Sequence, residues 1–373
     1  MVRLPWSNNG VQPGLLCHYL LQNGSSQCVM LDIVNHHGFG GNEVFVNQLY
    51  SFCTNVNIHI CARCDHVLLL ATFAGNSVGY HLYDVLERNC VPLPPPEVTK
   101  HSIRTGLAFD GQHSLVVRVF GVETKEVVEV EVEVFSSGTG AWSRCWPGIH
   151  LPRGWDLPKL GSAPLYLDGA IHWEMGGYLL SYHVDDGRCQ LIELPDYSPN
   201  DWSCHTMTFG QCLWESKGIL HYCSSNLEGI HIWALPNDPP ASSPWKSVRS
   251  IQHVMLVSSN PEIFFGIERQ QNMLNHCFSL QPCHISPFGY SPTTDAIYLR
   301  LPGAIISYDL SASILDVVCT FDTTSGQSFG CCIFPLDYRN PGGVSTMGRY
   351  GGGGKEQTVH LPLPDLVEKD SCK

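Results

Sequence analysis

An all-β fold, a β-propeller of six to eight four-stranded blades, is what the sequence predicts. Three observations predict it: apolar alternation with a period of two, frequent glycine and proline, and a weakly repeated unit of roughly blade length. The alternation is clearest in Val128-Glu-Val-Glu-Val-Glu-Val134, which sets the valines on one face of a strand and the glutamates on the other, the pattern of a half-buried strand. Apolar or β-branched runs recur at Cys28–Val34, Val67–Phe73, Leu115–Phe120, Leu179–Val184, Ile219–Cys223, Ile230–Leu235, Ile263–Ile267 and Ile305–Leu310. Between them lie clusters of Gly, Pro, Asn, Asp and Ser, and with 35 Gly and 25 Pro spread along the chain, turns are frequent and helices short. No stretch of about 12 residues free of Gly and Pro keeps a helical period.

The repeat selects among all-β architectures. Its core is an aromatic and apolar strand, a polar turn, and a return strand: Tyr80–Asp84 to Leu93-Pro94, Val132–Ser136 to Trp142, Tyr178–Tyr182 to Leu194-Pro195, Ile230–Trp233 to Trp245, and Ile306–Asp309 to Phe321. The starts are 52, 46, 52 and 76 residues apart. Four-stranded blades run to roughly 40–50 residues, so the last interval predicts one further, degenerate unit. A pair of β-sandwiches is the alternative. Residues 1–338 are assigned to the propeller; residues 339–373, with Gly351-Gly-Gly-Gly354 and alternating charge, read as a disordered tail.

Composition narrows the function. Only 15% of residues are charged, and 21 Lys and Arg against 34 Asp and Glu leave a net charge of −13, without a basic run; this argues against nucleic acid as a partner. Runs such as Val67–Ala71 fall far short of the roughly 18 apolar residues of a membrane span. The segment Met1–Gly10 has no apolar core of signal-peptide length. Seventeen cysteines, odd in number and scattered through apolar runs, read as reduced, mostly buried thiols. The expectation is a soluble protein of the cytoplasm, the nucleus or both.

Motifs with chemical potential each have a structural reading. Gly75-Asn-Ser-Val-Gly79 matches G-x-S-x-G, but a strand follows it rather than a helix, so it reads as a hairpin turn. Cys61-Ala-Arg-Cys64 has metal-ligand spacing, with His59 and His66 close by, yet no second ligand pair at comparable spacing accompanies it. Most of the 18 histidines, such as His172, His221 and His231, fall at strand positions beside Trp or Tyr and read as structural. Asp110, Asp168 and Asp309 sit at strand ends as turn caps. Gly354-Lys355-Glu356 is not a phosphate-binding loop. The nine tryptophans suit blade-to-blade packing, although an aromatic cage would look the same in sequence. No catalytic, cofactor-binding or metal-binding residue is nominated, no cofactor is expected, and the substrate-binding residues are not identifiable.

Taken in order, these blocks resemble the plant F-box-associated β-propeller family, a kelch-like domain and the recognition half of F-box proteins in cullin–RING ubiquitin ligases. Val134–Trp142 is similar to that family's strand, Ser-Ser turn and Trp, and Leu165-Tyr-Leu-Asp-Gly-Ala-Ile-His-Trp173 to its most recognisable block. Leu180–Val184 with Ile192–Pro195, Gly218–Tyr222, and Ile230–Leu235 followed by Trp245 agree in order, as do Cys64–Leu70, Leu93–Pro96, Phe109-Asp110 and Leu115–Val119. The match runs from 61 to 335 and departs from the family at Asp65-His66 and over Ser258–Ser291. The resemblance implies a non-catalytic, substrate-recruiting protein-interaction module whose partner is a protein target of ubiquitination. Leu4-Pro5 leads into strand-like segments rather than F-box helices, so binding of the F-box-docking adaptor requires an F-box outside this sequence. The alternative is a propeller enzyme, such as a glycosidase or oxidase, with its site at the central channel.

Thiol titration of freshly prepared protein in denaturant without reductant is expected to find most of the 17 cysteines reactive. Recovery of most of them already paired would place the chain in an oxidising compartment instead.

Overall fold

The computed structural model describes residues 11–20, 26–32, 57–74, 77–98, 104–123, 127–152, 163–175, 177–195, 210–237, 244–274, 285–292, 294–302, 304–320 and 330–339. Strands dominate. A three-stranded sheet joins β1 (Val11–Leu20) and β2 (Ser26–Asp32) to β24 (Gly330–Arg339), in the order β2-β1-β24. Blade 1 contains β3 (Asn57–Cys64), β4 (Val67–Ala74), β5 (Ser77–Asp84) and β6 (Asn89–Pro92). Blade 2 contains β7 (Arg104–Phe109), β8 (Ser114–Glu123), β9 (Val127–Ser136) and β10 (Ala141–Cys145), with the short β11 (His150–Pro152) also paired to β9. Blade 3 contains β12 (Leu165–Leu167), β13 (Ala170–Met175), β14 (Tyr178–His183) and β15 (Cys189–Glu193). Blade 4 contains β16 (Gly210–Ser216), β17 (Ile219–Ser225), β18 (Gly229–Leu235) and β19 (Lys246–Gln252). Helices α1 (His253–Ser259) and α2 (Pro261–Leu274) then lead to blade 5, β20 (Ser286–Ser291), β21 (Ala296–Leu301), β22 (Ala304–Asp309) and β23 (Leu315–Thr320).

Within each blade sequential strands pair antiparallel, and the first strands of successive blades meet: β3 with β7, β7 with β12, β12 with β16, β16 with β20, and β20 with β24. Strand β2 lies against β3, which completes the circuit. Up-and-down sheets whose first strands converge while their last strands lie outermost form a propeller. Among the described residues, the expected six to eight four-stranded blades are therefore corrected to five, accompanied by one three-stranded sheet in which β1 pairs with β24 along its full length.

The opening segments of all five sequence repeats fall on third strands, β5, β9, β14, β18 and β22, and their ends lie on or beside the fourth strands, save Phe321, which lies outside the described residues. The 76-residue interval, where the sequence predicts one further unit, holds no further blade among the described residues. Blade 4 ends at Gln252, blade 5 begins at Ser286, and the described part of the link is α1 and α2. The run Ile263–Ile267, expected as a strand, belongs to α2. Pro261 supplies the fixed φ of a first helical turn, where its missing N–H costs nothing. His253, Leu256, Phe264 and Ile267 recur every three or four residues along the two helices and are buried; Leu256, Phe264 and Ile267 join the core shared by blades 4 and 5. The expected tail lies outside the described residues apart from Arg339.

The Val-Glu alternation of β9 places its residues as expected, but the strand is not half-buried. Its valines face blade 3, packing with Ile171, Trp173 and Leu180. Its glutamates leave water as well: Glu131 and Glu133 are buried. Glu133 accepts from the backbone N–H groups of Glu97 (2.7 Å) and Val98 (3.1 Å) in the link from blade 1, and it pairs with the buried guanidinium of Arg118. Arg118 also donates to the Tyr80 hydroxyl of blade 1 at 3.2 Å and stacks over Phe120, its guanidinium carbon 4.7 Å from the ring centre. Glu131 pairs with Arg144. The alternation thus reports two buried faces, one apolar and one ionic.

Arg118→Met is expected to destabilise the protein by about 3–5 kcal/mol, because it strands the Glu133 charge in the interior. The Arg118→Met, Glu133→Gln pair keeps an acceptor for both amides and is expected to recover part of the loss. Urea denaturation measures both variants, and a single-variant cost below about 0.5 kcal/mol would show that this junction is open to water.

Candidate functional site

The most conspicuous sequence block, Leu165–Trp173, forms β12, a two-residue turn and most of β13. Asp168 and Gly169 both adopt left-handed φ (49° and 76°), which makes the turn a tight one suited to Asp-Gly. Trp173 is fully buried and donates its indole N–H to the Thr105 carbonyl of blade 2 at 3.3 Å. A Cβ on Gly106 would lie 2.5 Å from that indole, so β7 and β13 approach only because the residue is glycine. His172 sits 2.8 Å from the Ser181 hydroxyl, and burial pushes its pKa down to about 4. The block is structural: it seats blade 3 on blade 2.

Two polar clusters lie at junctions between neighbouring blades. At the end where first strands begin, Arg104 of β7 donates through Nε and Nη2 to the Glu174 carbonyl of β13, both at 3.4 Å. With the Gln211 amide oriented by its surroundings, Nε2 donates to both Glu174 carboxylate oxygens at 3.0 Å and Oε1 accepts from the Tyr222 hydroxyl at 2.8 Å. A single buried relay thus crosses blades 2, 3 and 4. Sequence reading missed it, since Arg104, Glu174 and Gln211 lie on separate blades and share no motif.

At the opposite end, where first strands finish, Trp214 of β16 stacks with Tyr290 of β20 (4.9 Å between ring centres, 19°) and with His221 of β17 (5.4 Å, 9°). The Tyr290 hydroxyl donates to Asp295 Oδ1 at 2.9 Å, and the Ser311 hydroxyl donates to Oδ2 at 2.8 Å. Glu215 Oε1 accepts the Gly218 N–H at 2.6 Å. Burial holds His221 below its ordinary value, against the opposing pull of the Ile219 carbonyl and of the Glu215 and Asp295 charges. Burial likewise raises the Tyr290 phenol. This grouping lies where blades 4 and 5 meet, and each of its carboxylates accepts hydrogen bonds from the scaffold.

A serine and histidine also meet, at Ser225 and His253, but in the wrong sense for catalysis. The Ser225 hydroxyl donates to the Ile285 carbonyl at 2.7 Å. His253 Nε2 lies 3.0 Å from the Asn226 carbonyl and 3.1 Å from Ser225 Oγ, so these partners assign it the proton and make it the donor. The histidine therefore does not act as base toward this serine. Ser77 of the G-x-S-x-G pattern begins β5 directly opposite Ala74, in a hairpin. Cys61 Sγ and Cys64 Sγ donate to different carbonyls, of His59 and Phe109, both at 3.8 Å. Among the described residues no group of three or more His, Cys, Asp or Glu is arranged to hold a metal. Asp110 and Asp309 cap turn amides as expected, for instance His113 N–H to Asp110 Oδ1 at 2.6 Å. Gly354-Lys355-Glu356 lies outside the described residues.

No family model and no curated protein matches the chain. Among solved structures it is similar to the extracellular domain of BT4673 from B. thetaiotaomicron (9% identity, covering 72% of this chain and 29% of that one, TM-score 0.33). It is similar also to apo AztD from Citrobacter koseri (8% identity, 88% and 99%, TM-score 0.40). A third is one of two prolyl endopeptidases (14% identity, 83% and 40%, TM-score 0.38). At these scores the propeller assignment rests on the chain's own strand order.

Acid unfolding checks the histidine environments. His172 titrates near 6.5 when unfolded and near 4 when folded, so the unfolded state binds its proton first. The stabilising contribution of the neutral ring is fully present above about pH 6.5 and is withdrawn as pH falls toward about 4, a loss on the order of 2–3 kcal/mol. His172→Gln is expected to flatten the pH dependence of the unfolding free energy in that window, and an unchanged slope would show the ring to be solvated.

Proposed function

We propose that this chain is a non-catalytic protein-recognition module, acting as the substrate-recruiting part of a ubiquitin ligase of the F-box type. The observation that carries the reading is the link between blades 4 and 5. Helices α1 and α2 bury one face in the core and turn Val254 (75% exposed), Met255 (58%) and Phe265 (65%) to solvent. A helical insertion on a rigid ring, apolar on its outer as well as its inner side, is suited to a protein partner presenting an apolar surface. The competing enzyme reading draws on Glu215 and Asp295, whose oxygens are engaged by Gly218, Tyr290 and Ser311. The order of blocks from 61 to 335 supports kinship with F-box-associated propellers.

The test compares the full chain with a Val254→Asp, Met255→Asp, Phe265→Asp variant in cellular crosslinking followed by mass spectrometry. A defined set of proteins is expected to be captured by the wild type and lost from the variant at an unchanged unfolding midpoint; capture that is identical for both removes the reading. Because 11–20 and 26–32 are strands, the chain alone is expected not to retain the purified F-box-docking adaptor, whereas a fusion to an F-box retains it.

A further inference from the structure

The turn between third and fourth strands closes in the same way in three blades: Gly140 N–H donates to the Ser136 carbonyl (2.8 Å), Gly187 N–H to that of His183 (2.9 Å) and Ser313 N–H to that of Asp309 (2.9 Å). The three donors share left-handed φ values of 68°, 68° and 59°. Blades 2 and 3 fill this position with glycine, which adopts that conformation freely, whereas blade 5 fills it with serine, for which it is strained. A serine held in such a conformation points to a use for its hydroxyl.

That hydroxyl meets an arginine from the neighbouring blade. Arg249 of β19, the outer strand of blade 4, donates through Nη2 to Ser313 Oγ at 2.6 Å and to the Tyr308 hydroxyl at 3.1 Å, and through Nη1 to the Leu310 carbonyl. Its guanidinium carbon lies 5.5 Å from the centre of the Tyr308 ring. Arg249 is half-buried, while Ser311, Ala312, Ser313 and Ile314 are exposed. The other serine of the turn faces acid instead: the Ser311 hydroxyl donates to Asp295 Oδ2 at 2.8 Å, and Asp309 Oδ1 accepts the Ser311 and Ala312 N–H groups. One turn thus presents a serine beside a cation and a serine beside an anion. The exposed Asp316 stands three residues after Ser313, the position from which acid-directed kinases select a serine; three residues after Ser311 stands Ile314.

We propose that Ser313 is a phosphorylation site whose phosphoryl group is held by Arg249, tying the outer strand of blade 4 to the rim of blade 5. In the transfer, Ser313 Oγ bonds to the γ-phosphorus of ATP, the bond from that phosphorus to the bridging oxygen breaks, ADP departs, and the hydroxyl proton passes to the carboxylate base of an acid-directed protein kinase. The product carries a charge of about −1.5 to −2 at pH 7. Arg249 then exchanges a neutral acceptor for a charged one, and its guanidinium, on a flexible arm, takes two phosphoryl oxygens as a fork. The charges of Asp309 and Asp316 oppose the phosphate, but Asp309 Oδ1 is engaged by two turn amides, whereas Arg249 already touches Ser313. Because β19 runs directly into α1, the tie also fixes the strand from which the helical link departs.

Two arms test the proposal. In the first, the folded full chain is incubated with magnesium ATP and casein kinase II, and phosphopeptides are mapped by mass. Phosphate is expected at Ser313 and not at Ser311; Ser259, which shares the acidic spacing through Glu262, is read separately. In the second, phosphoserine is incorporated in place of Ser313 during synthesis, so that no kinase is needed. The unfolding midpoint is expected to rise by about 1–3 °C over the unmodified chain, less in about 1 M salt, and not at all between the corresponding pair of Arg249→Gln chains. Ser313→Gly preserves the turn and is expected to gain nothing from kinase treatment. An unmodified Ser313 in the first arm, a midpoint unchanged or lowered by phosphoserine, or a gain that survives Arg249→Gln overturns the proposal.

Discussion

Each blade of this ring is pressed between two others, so both faces of its sheet must leave water. Any polar group on those faces then has to find its partner inside the junction. Blade 2 shows the consequence most clearly. Its valines meet apolar residues of blade 3, while Glu133 meets Arg118 and two backbone amides from the link out of blade 1. The ion pair adds little net stability over an apolar pair of equal volume, yet removing either partner strands a charge. Blades 1 and 2 are thereby held in one register.

The same constraint explains why side chains that look chemical in sequence are occupied by the scaffold. Ser225 and His253 bridge β17 to the helical link and to the residue that precedes β20. Glu174 and Gln211 tie blade 3 to blade 4, with Arg104 joining from blade 2. Asp295 collects a tyrosine and a serine hydroxyl from its own blade. Among the described residues, the link between blades 4 and 5, where the chain departs from the repeat, leaves Val254, Met255 and Phe265 in solvent, and Val91, Trp146, Val248, Ile314 and Val317 are exposed on the blades.

Junctions within the ring are not equivalent. Indole-to-carbonyl bonds close the outer rim between blades 1 and 2 and between blades 3 and 4. Between blades 2 and 3 the close approach is between first and second strands, where Gly106 admits Trp173.

By itself the sequence determined that the protein is built from strands and where the outer half of each blade lies. Period-two alternation and Gly, Pro and Asp turns are local properties, legible within ten residues, and the openings of all five aromatic repeats coincide with third strands. It also marked Leu165–Trp173 as a unit, because a left-handed Asp-Gly turn and an anchoring tryptophan leave a local signature. Tertiary structure alone decided the number of four-stranded blades, since the interval before blade 5 is filled by helices whose run Ile263–Ile267 is too short to distinguish from a strand by pattern. It alone decided that the glutamates of β9 are buried, because alternation records two different faces but not what covers them. The relay through Arg104, Glu174 and Gln211 was likewise invisible. It depends on which blades become neighbours, and that is set by closing the ring over long stretches of chain rather than by any local spacing of residues.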